Sequence, residues 1–245
     1  MVWLKWFKKI YIKESFQPGI IGLFINPFFL ARRGLYKSIK NLSKYLSGGK
    51  LLDVGCGSKP YKNLFKVQEY IGLDIDQSGH AHTYEEIDIF YDGKTMPFEK
   101  NSIDAILCNQ VFEHVFNPTE FLVEIQRILK PDGFLLLSVP FFWDEHEKPY
   151  DYARYSSFAL KYLLEKNNFE IVKSVKTNAH FGIIFQIINV ILYKRLKTKN
   201  IYLDILIHIV LLSPFNIFGY LFSVFSTKDK DLYIDNVILA KKRNV

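Results

Sequence analysis

Two glycines and two acids carry the first chemistry legible in this 245-residue chain. The run Leu51-Leu52-Asp53-Val54-Gly55-Cys56-Gly57 closes an apolar strand with an acid and a glycine turn, and Tyr70-Ile71-Gly72-Leu73-Asp74 closes a second strand with another acid. Glycines let backbone N–H groups come close to a ligand, and a carboxylate at the tip of the next strand can accept hydrogen bonds from both ribose hydroxyls. The spacing predicts a nucleoside-cofactor site. A dinucleotide fingerprint would need a third glycine where the chain has Pro60, preceded by Lys59, so that cofactor class is disfavoured. A tight turn holding no ligand is the alternative.

A second group of residues suits proton transfer. The stretch Pro140-Phe141-Phe142-Trp143-Asp144-Glu145-His146-Glu147-Lys148-Pro149-Tyr150-Asp151-Tyr152-Ala153-Arg154-Tyr155-Ser156 places an imidazole, carboxylates, a guanidinium and phenols within one loop. His146 titrates near neutral pH and can take a proton from a hydroxyl, with Asp151 orienting it or acting as base itself. Arg154, Tyr152 and Tyr155 can bind a sugar, a carboxylate or a phosphate; the alternative is that Asp151 and Arg154 form a structural pair ahead of the next helix. Glu113 and His114 form another candidate pair. His80 and His82 have no companion ligands at a convincing interval, so they are expected in a solvated loop. Cys56 and Cys108 offer neither a disulfide framework nor metal-ligand spacing. A cytosolic, metal-free domain is expected.

These residues need a scaffold, and hydrophobic periodicity supplies one. Strands are expected near 50–54, 69–74, 85–89, 103–108, 133–139, 169–177 and 232–240, with helices near 34–46, 117–130 and 156–167. Asn117 is expected to cap the second of these helices, with Pro118 in its first turn and Glu120 completing a capping-box-like arrangement. Phe121, Leu122, Ile125, Ile128 and Leu129 make its apolar face. Strand–helix alternation predicts an α/β fold with a mainly parallel sheet, whose ligands lie beyond the carboxyl ends of the strands. Asp53, Asp74, Asp88 and Asn109 are all expected there.

Four ordered segments resemble class I S-adenosylmethionine (SAM) methyltransferases of the type 11 group: Asp53-x-Gly-x-Gly, Ser102–Cys108, Asn109-Gln110-Val111-Phe112-Glu113-His114-Val115, and Asn117–Gly133. The resemblance covers roughly residues 50–177 and a last strand. It implies a Rossmann-like sandwich with a seven-stranded sheet whose last strand is antiparallel, and SAM as cofactor. In that family the loop Gly55-Cys56-Gly57 meets the methionine carboxylate, Asp53 its amine and Asp74 the ribose. Asp88 resembles the acid that accepts from the adenine amino group, with Asp92 as a rival. Asn109 would lie under the methionine arm, and the His114 loop borders the cofactor. Ser58-Lys59-Pro60-Tyr61 departs from the pattern of a third glycine. The run from His146 to Tyr155 resembles a subgroup associated with bacterial surface-glycan synthesis.

Charge divides the chain as its motifs do. Residues 1–50 carry ten Lys/Arg against the single acid Glu14, whereas residues 51–177 are net acidic with 13 basic and 20 acidic groups. A nucleic-acid enzyme would place basic charge around its cleft, so no nucleic-acid partner is expected. The basic segments are also apolar and aromatic. An N-terminal extension, residues 1–49, begins with Trp3, Leu4, Trp6, Phe7, Ile10 and Tyr11 interleaved with lysines, and an apolar helical insertion occupies about 179–229. Both suit an amphipathic, in-plane membrane contact, with packing on the domain or capping of the active site as alternatives. A signal peptide is not expected, since lysines interrupt the apolar stretch. The combined expectation is O-methylation of a glycan or lipid-linked small-molecule acceptor by a cytoplasmic protein peripheral to the membrane. A quinone-like lipid ring is a second acceptor class, and a non-catalytic anchor of a membrane complex the reading from another class.

Overall fold

The computed structural model describes residues 2–76, 86–179, 181–223 and 230–244. His80 and His82 lie outside them. The chain divides into two compact units, one formed by residues 1–37 and 176–234 and the other by residues 38–175 and 235–245. Residues 1–37 of the N-terminal extension and the insertion therefore share a unit.

The second unit is built on a seven-stranded sheet of order β3-β2-β1-β4-β5-β7-β6. Its strands are β1 Lys50–Val54, β2 Glu69–Ile75, β3 Ile89–Tyr91, β4 Ile103–Asn109, β5 Leu129–Pro140, β6 Phe169–Lys176 and β7 Asp235–Lys242. Strands β1 to β5 pair in parallel and β7 runs antiparallel to β5, from Phe134 against Lys241 to Pro140 against Asp235. This is the expected mainly parallel, Rossmann-like sheet, with an antiparallel last strand. Asp53 sits opposite Gly72, so the loop after β1 and the acid near the end of β2 emerge at one edge. Helices α4 Pro118–Ile128 and α5 Ser157–Lys166 cover the sheet. Phe121, Leu122, Ile125, Ile128 and Leu129 all enter the core, as the 3.6-residue period requires.

Two local expectations are corrected. The third strand is Ile89–Tyr91, not 85–89, so Asp88 precedes it and Asp92 follows it. Asn117 makes no side-chain cap to α4; its Nδ2 donates to Glu120 Oε2 at 3.3 Å instead. The link from β1 to β2 contains no α-helix, only a 3₁₀ turn at Lys62–Leu64. Pro60 lacks an N–H and steers the residue before it away from the right-handed helical region, and Lys59 has φ of 49°.

The first unit contains α1 Val2–Phe16, α2 Ile20–Ile25, the start of α3 Phe29–Leu42, α6 Phe181–Leu196, α7 Ile201–Ile207 and α8 Ser213–Phe222, with a π-helical turn at His208–Leu212. Its interior is held by polar groups. Glu14 Oε2 accepts from Gly19 N at 2.6 Å and Gly22 N at 2.7 Å. Gln186 bridges Pro27 O and Ala31 N, His208 Nδ1 meets Ile25 O at 3.0 Å, and Asn189 donates to Asn216, which donates to the carbonyls of Leu23 and Asn26. All five of these side chains are buried. Large apolar side chains face outward instead: Ile20, Ile184, Ile191, Tyr202, Leu206, Val210, Phe218 and Leu221 are each about half exposed or more.

Candidate active site

At the carboxyl edge of the sheet the glycine loop takes the shape its residues allow. Gly55 and Gly57 have φ of 67° and 47°, a region that side chains disfavour. An added Cβ at Gly55 would strike Val111 at 2.3 Å, whereas one at Gly57 would meet nothing within 4 Å. Gly55 is thus required by the β4 loop, and Gly57 opens on free space beside Asp74. Asp74 is nearly buried; its Oδ2 accepts from Gly57 N at 2.9 Å and its Oδ1 from Ile75 N at 2.9 Å. Those bonds fix the carboxylate at the strand end.

Asp53 lies beneath this loop. Burial drives its carboxyl up to about 7, a rise opposed by the 2.6 Å hydrogen bond from the Tyr70 hydroxyl and reinforced by Asp74. Burial likewise pushes the Cys56 thiol up to about 12 and raises Cys108 well above its ordinary value, so both stay protonated thiols at neutral pH. Asn109 ends β4 and accepts from Ser138 Oγ at 2.7 Å.

Lys59, which stands in place of a helix-packing glycine, is buried. Its stem crosses Gly72, where an added Cβ would meet it at 2.2 Å, and its ammonium pairs with Asp88 at 2.6 Å. Asp88 also accepts from Gly72 N at 2.6 Å. The carboxyl-end position expected of Asp88 therefore belongs to Asp92, whose Oδ1 accepts from Lys94 N and Thr95 N in the turn after β3. Asp88 is a structural partner of Lys59.

The loop after β4 and the loop after β5 bring four expected residues together. Glu113, His114, His146 and Asp151 converge: the rings of His114 and His146 meet edge to face at 4.9 Å, and Nε2 of each lies 3.9 Å from Glu113 Oε1. Asp151 Oδ2 accepts from His146 N at 2.9 Å and lies 3.3 Å from His146 Nδ1. Burial alone would raise Asp151, but two hydrogen bonds from Arg154 and one from His146 N hold it at about 2. Asp151 orients His146; as a general base it is too weak. Burial drives Glu113 to about 8 and lowers His114.

Arg154 does not face an acceptor. Its guanidinium donates to Asp151 Oδ1 at 2.6 Å and Oδ2 at 2.7 Å, to the carbonyls of Asp144 and Ala153 at 2.8 Å, and to Trp143 O at 3.4 Å. Five donors are thereby spent on the loop itself, and the structural pair is what the chain builds. Tyr155 packs its ring on Phe112 at 5.1 Å, while Tyr152 stands exposed against Phe116.

A family model described as a methyltransferase domain matches residues 52–137, the stretch holding both glycines, Asp74, Asn109 and Glu113. That stretch is similar to methyltransferase domains. Among its relatives, a "Probable S-adenosylmethionine-dependent methyltransferase" of Mycolicibacterium smegmatis is 31% identical over 41% of this chain and 42% of its own. A phthiotriol/phenolphthiotriol dimycocerosates methyltransferase of Mycobacterium ulcerans is 27% identical over 55% and 53%, and the ubiquinone biosynthesis O-methyltransferase of Dechloromonas aromatica 26% over 54% and 60%. The chain spans about half the length of the curated relatives it matches. A solved phosphoethanolamine N-methyltransferase of Haemonchus contortus, in complex with phosphomonomethylethanolamine and S-adenosylhomocysteine, shares the fold with a TM-score of 0.54 at 17% identity, over 95% of this chain and 59% of that one.

The residues at the carboxyl edge fit SAM as cofactor. Free space lies in front of Gly57, and a fixed carboxylate stands beside it. Sequence reading missed the Tyr70–Asp53 bond and the Lys59–Asp88 pair. Lys59 was visible as a departure from pattern, but its partner depends on the position of β3.

Proposed function

We propose that this chain methylates an oxygen of a glycan or lipid-linked intermediate at the cytoplasmic face of a membrane. What carries the reading is the first unit, which buries five polar side chains in its interior and exposes many large apolar ones, joined in one chain to a stretch similar to methyltransferase domains. In water that arrangement leaves apolar surface uncovered; against hydrocarbon it is the favourable one. Ile201–Phe222 is long and apolar enough to cross a bilayer. Ile234 N donates to Thr177 O at 3.0 Å, however, so the segment leaves and returns at one point, which favours a hairpin embedded in one leaflet. The unit carries 14 Lys/Arg against four acids, matching an anionic surface.

SAM, when bound, supplies a methyl group that is already electrophilic. The chain supplies position: Gly57, open in front, lets the cofactor approach the turn, Asp74 accepts from the ribose hydroxyls, Asp92 from the adenine amino group, and Asn109 lines the methionine arm. His146, held by Asp151, takes the acceptor's proton on Nε2, and Tyr152 contacts the acceptor. The ubiquinone-pathway relative favours a quinone-like ring as second reading.

Calorimetry tests the cofactor. Asp74→Ala should weaken SAM binding by about 1.5–3 kcal/mol, the cost of losing hydrogen bonds to a charged acceptor; unchanged affinity would sink the assignment. Mass spectrometry of lipids and glycans labelled by methyl-labelled SAM in membranes then reads the acceptor, and label confined to protein or nucleic acid would overturn the proposed class.

A further inference from the structure

Glu113 is 0% exposed, and neither carboxylate oxygen has a hydrogen-bond donor among the described residues. Buried carboxylates are normally satisfied by donors or by a cation. Facing it are two imidazoles whose Nδ1 atoms are already spoken for. His114 Nδ1 lies 2.9 Å from Tyr150 O, and His146 Nδ1 lies 3.2 Å from Asp144 O and 3.3 Å from Asp151 Oδ2. These are acceptors, so they draw the ring proton to Nδ1 and leave the lone pair on Nε2 of both rings; the one donor at His146 Nδ1, Arg154 Nη2, is farther at 3.4 Å. His114 Nε2 is itself buried and without a hydrogen-bond partner, with Glu147 Oε2 at 3.8 Å on its outer side. Three electron-pair donors thus converge on one point with nothing between them, and a proton on Glu113 would satisfy only one.

We propose that Glu113, His114 and His146 bind a divalent cation of the zinc class, through one carboxylate oxygen and two Nε2 atoms, with the acceptor's oxygen completing the coordination. Two imidazoles and a carboxylate without thiolates suit zinc, cobalt, manganese or ferrous iron better than calcium or magnesium. The ligand atoms lie within 4.8 Å of one another. At bond lengths of about 2.0–2.2 Å tetrahedral ligands stand about 3.4 Å apart, so a bound cation draws each imidazole toward Glu113 by about half an ångström and the widest pair together by up to about 1.4 Å. His146, with its side chain 30% exposed, is the ligand free to move. Asp151 and Tyr150 O are the outer-shell acceptors that fix ligand tautomers in such sites. The expectation of a metal-free domain rested on cysteine spacing and on His80 and His82, none of which enters this cluster.

The inference rests on the methyl-transfer reading of the site. Ligation uses the Nε2 lone pair that would otherwise accept a proton; in the loaded protein the cation lowers the acceptor's pKa and His146 holds the cation. His146→Ala loses turnover under either use, so the deciding readout is metal binding. The full chain, stripped with chelator, is titrated with cobalt(II) by visible absorption and with zinc(II) by calorimetry, and SAM affinity is measured on the same samples. One cation per chain is expected, with Glu113→Gln and His146→Ala each weakening it at least tenfold, Asp151→Asn about tenfold, and SAM affinity within twofold of wild type. Absence of saturable one-to-one uptake by the wild-type chain, or uptake unchanged in both Glu113→Gln and His146→Ala, overturns the proposal and returns His146 to the role of base. Uptake without SAM binding would instead break the methyl-transfer reading while leaving the cation site standing.

Discussion

The two units of this chain solve burial in opposite ways. In the sheet unit Leu52, Ile106, Leu122, Ile125 and Leu137 are inside, so apolar contact drives the fold and polar groups concentrate at the carboxyl edge where chemistry is done. In the helical unit Glu14, Gln186, Asn189, His208 and Asn216 are inside beside Ile25, Phe29, Leu30, Leu35, Ile183 and Leu212, while Ile20, Tyr202, Leu206, Val210 and Leu221 are outside. Helices there are tied by hydrogen bonds to backbone carbonyls and N–H groups, the interaction that keeps its worth when the surroundings are apolar.

The largest expected effect breaks this contrast from the outside. Replacing Leu206, Val210 and Leu221 with Asp should abolish flotation with anionic liposomes, since each charge placed in hydrocarbon costs about 2.5–3.5 kcal/mol, while SAM binding is retained. Flotation that survives the triple variant would mean that this face does not meet lipid. The same kind of change made inside the sheet unit has a different readout. Leu122→Ala should destabilise that unit by about 2–5 kcal/mol in denaturant titration with flotation intact.

A pH series sharpens the contrast at the catalytic edge. Glu113 has a folded value of about 8 against an ordinary 4.5, so the folded state holds a proton that the unfolded state has released. Stability from this group is complete below about pH 4.5 and declines as pH rises through about 8. Glu113→Gln should flatten that decline, worth on the order of a few kcal/mol at pH 8 in the cation-free protein; a variant with the wild-type slope would show Glu113 to be solvated. Helix caps give the smallest effect and should be indifferent to the unit. Ser156 accepts from Ala159 N at the start of α5, and Asn200 from Tyr202 N and Leu203 N at the start of α7. Changing either to Ala should cost about 1 kcal/mol, and Asn117→Ala, which removes no cap bond, much less.

Most of the sheet was legible because parallel strands buried on both faces announce themselves as apolar runs: β1, β2 and β4 lie where expected to within a residue or so. The third strand is only three residues long, too short for a pattern, and its displacement moved the expected adenine acid from Asp88 to Asp92. The motif His146–Tyr155 was legible as a set of chemically capable residues but not as roles. Arg154 and Asp151 consume each other's hydrogen-bonding capacity, which no spacing reveals.

By itself the sequence determined the α/β class, the glycine turn with its ribose acid, and the segregation of basic and apolar flanks from an acidic core. These follow from backbone sterics and from periodicities that are local in the chain. Tertiary structure alone decided which of the polar residues meet: that Glu113 is sealed from water opposite two imidazoles, that Lys59 reaches Asp88 across Gly72, and that residues 1–37 and 176–234 close around polar groups. Burial and the pairing of charges depend on neighbours that are tens to nearly two hundred residues away in sequence, so desolvation, hydrogen-bond saturation and convergence of lone pairs exist only once the chain has folded.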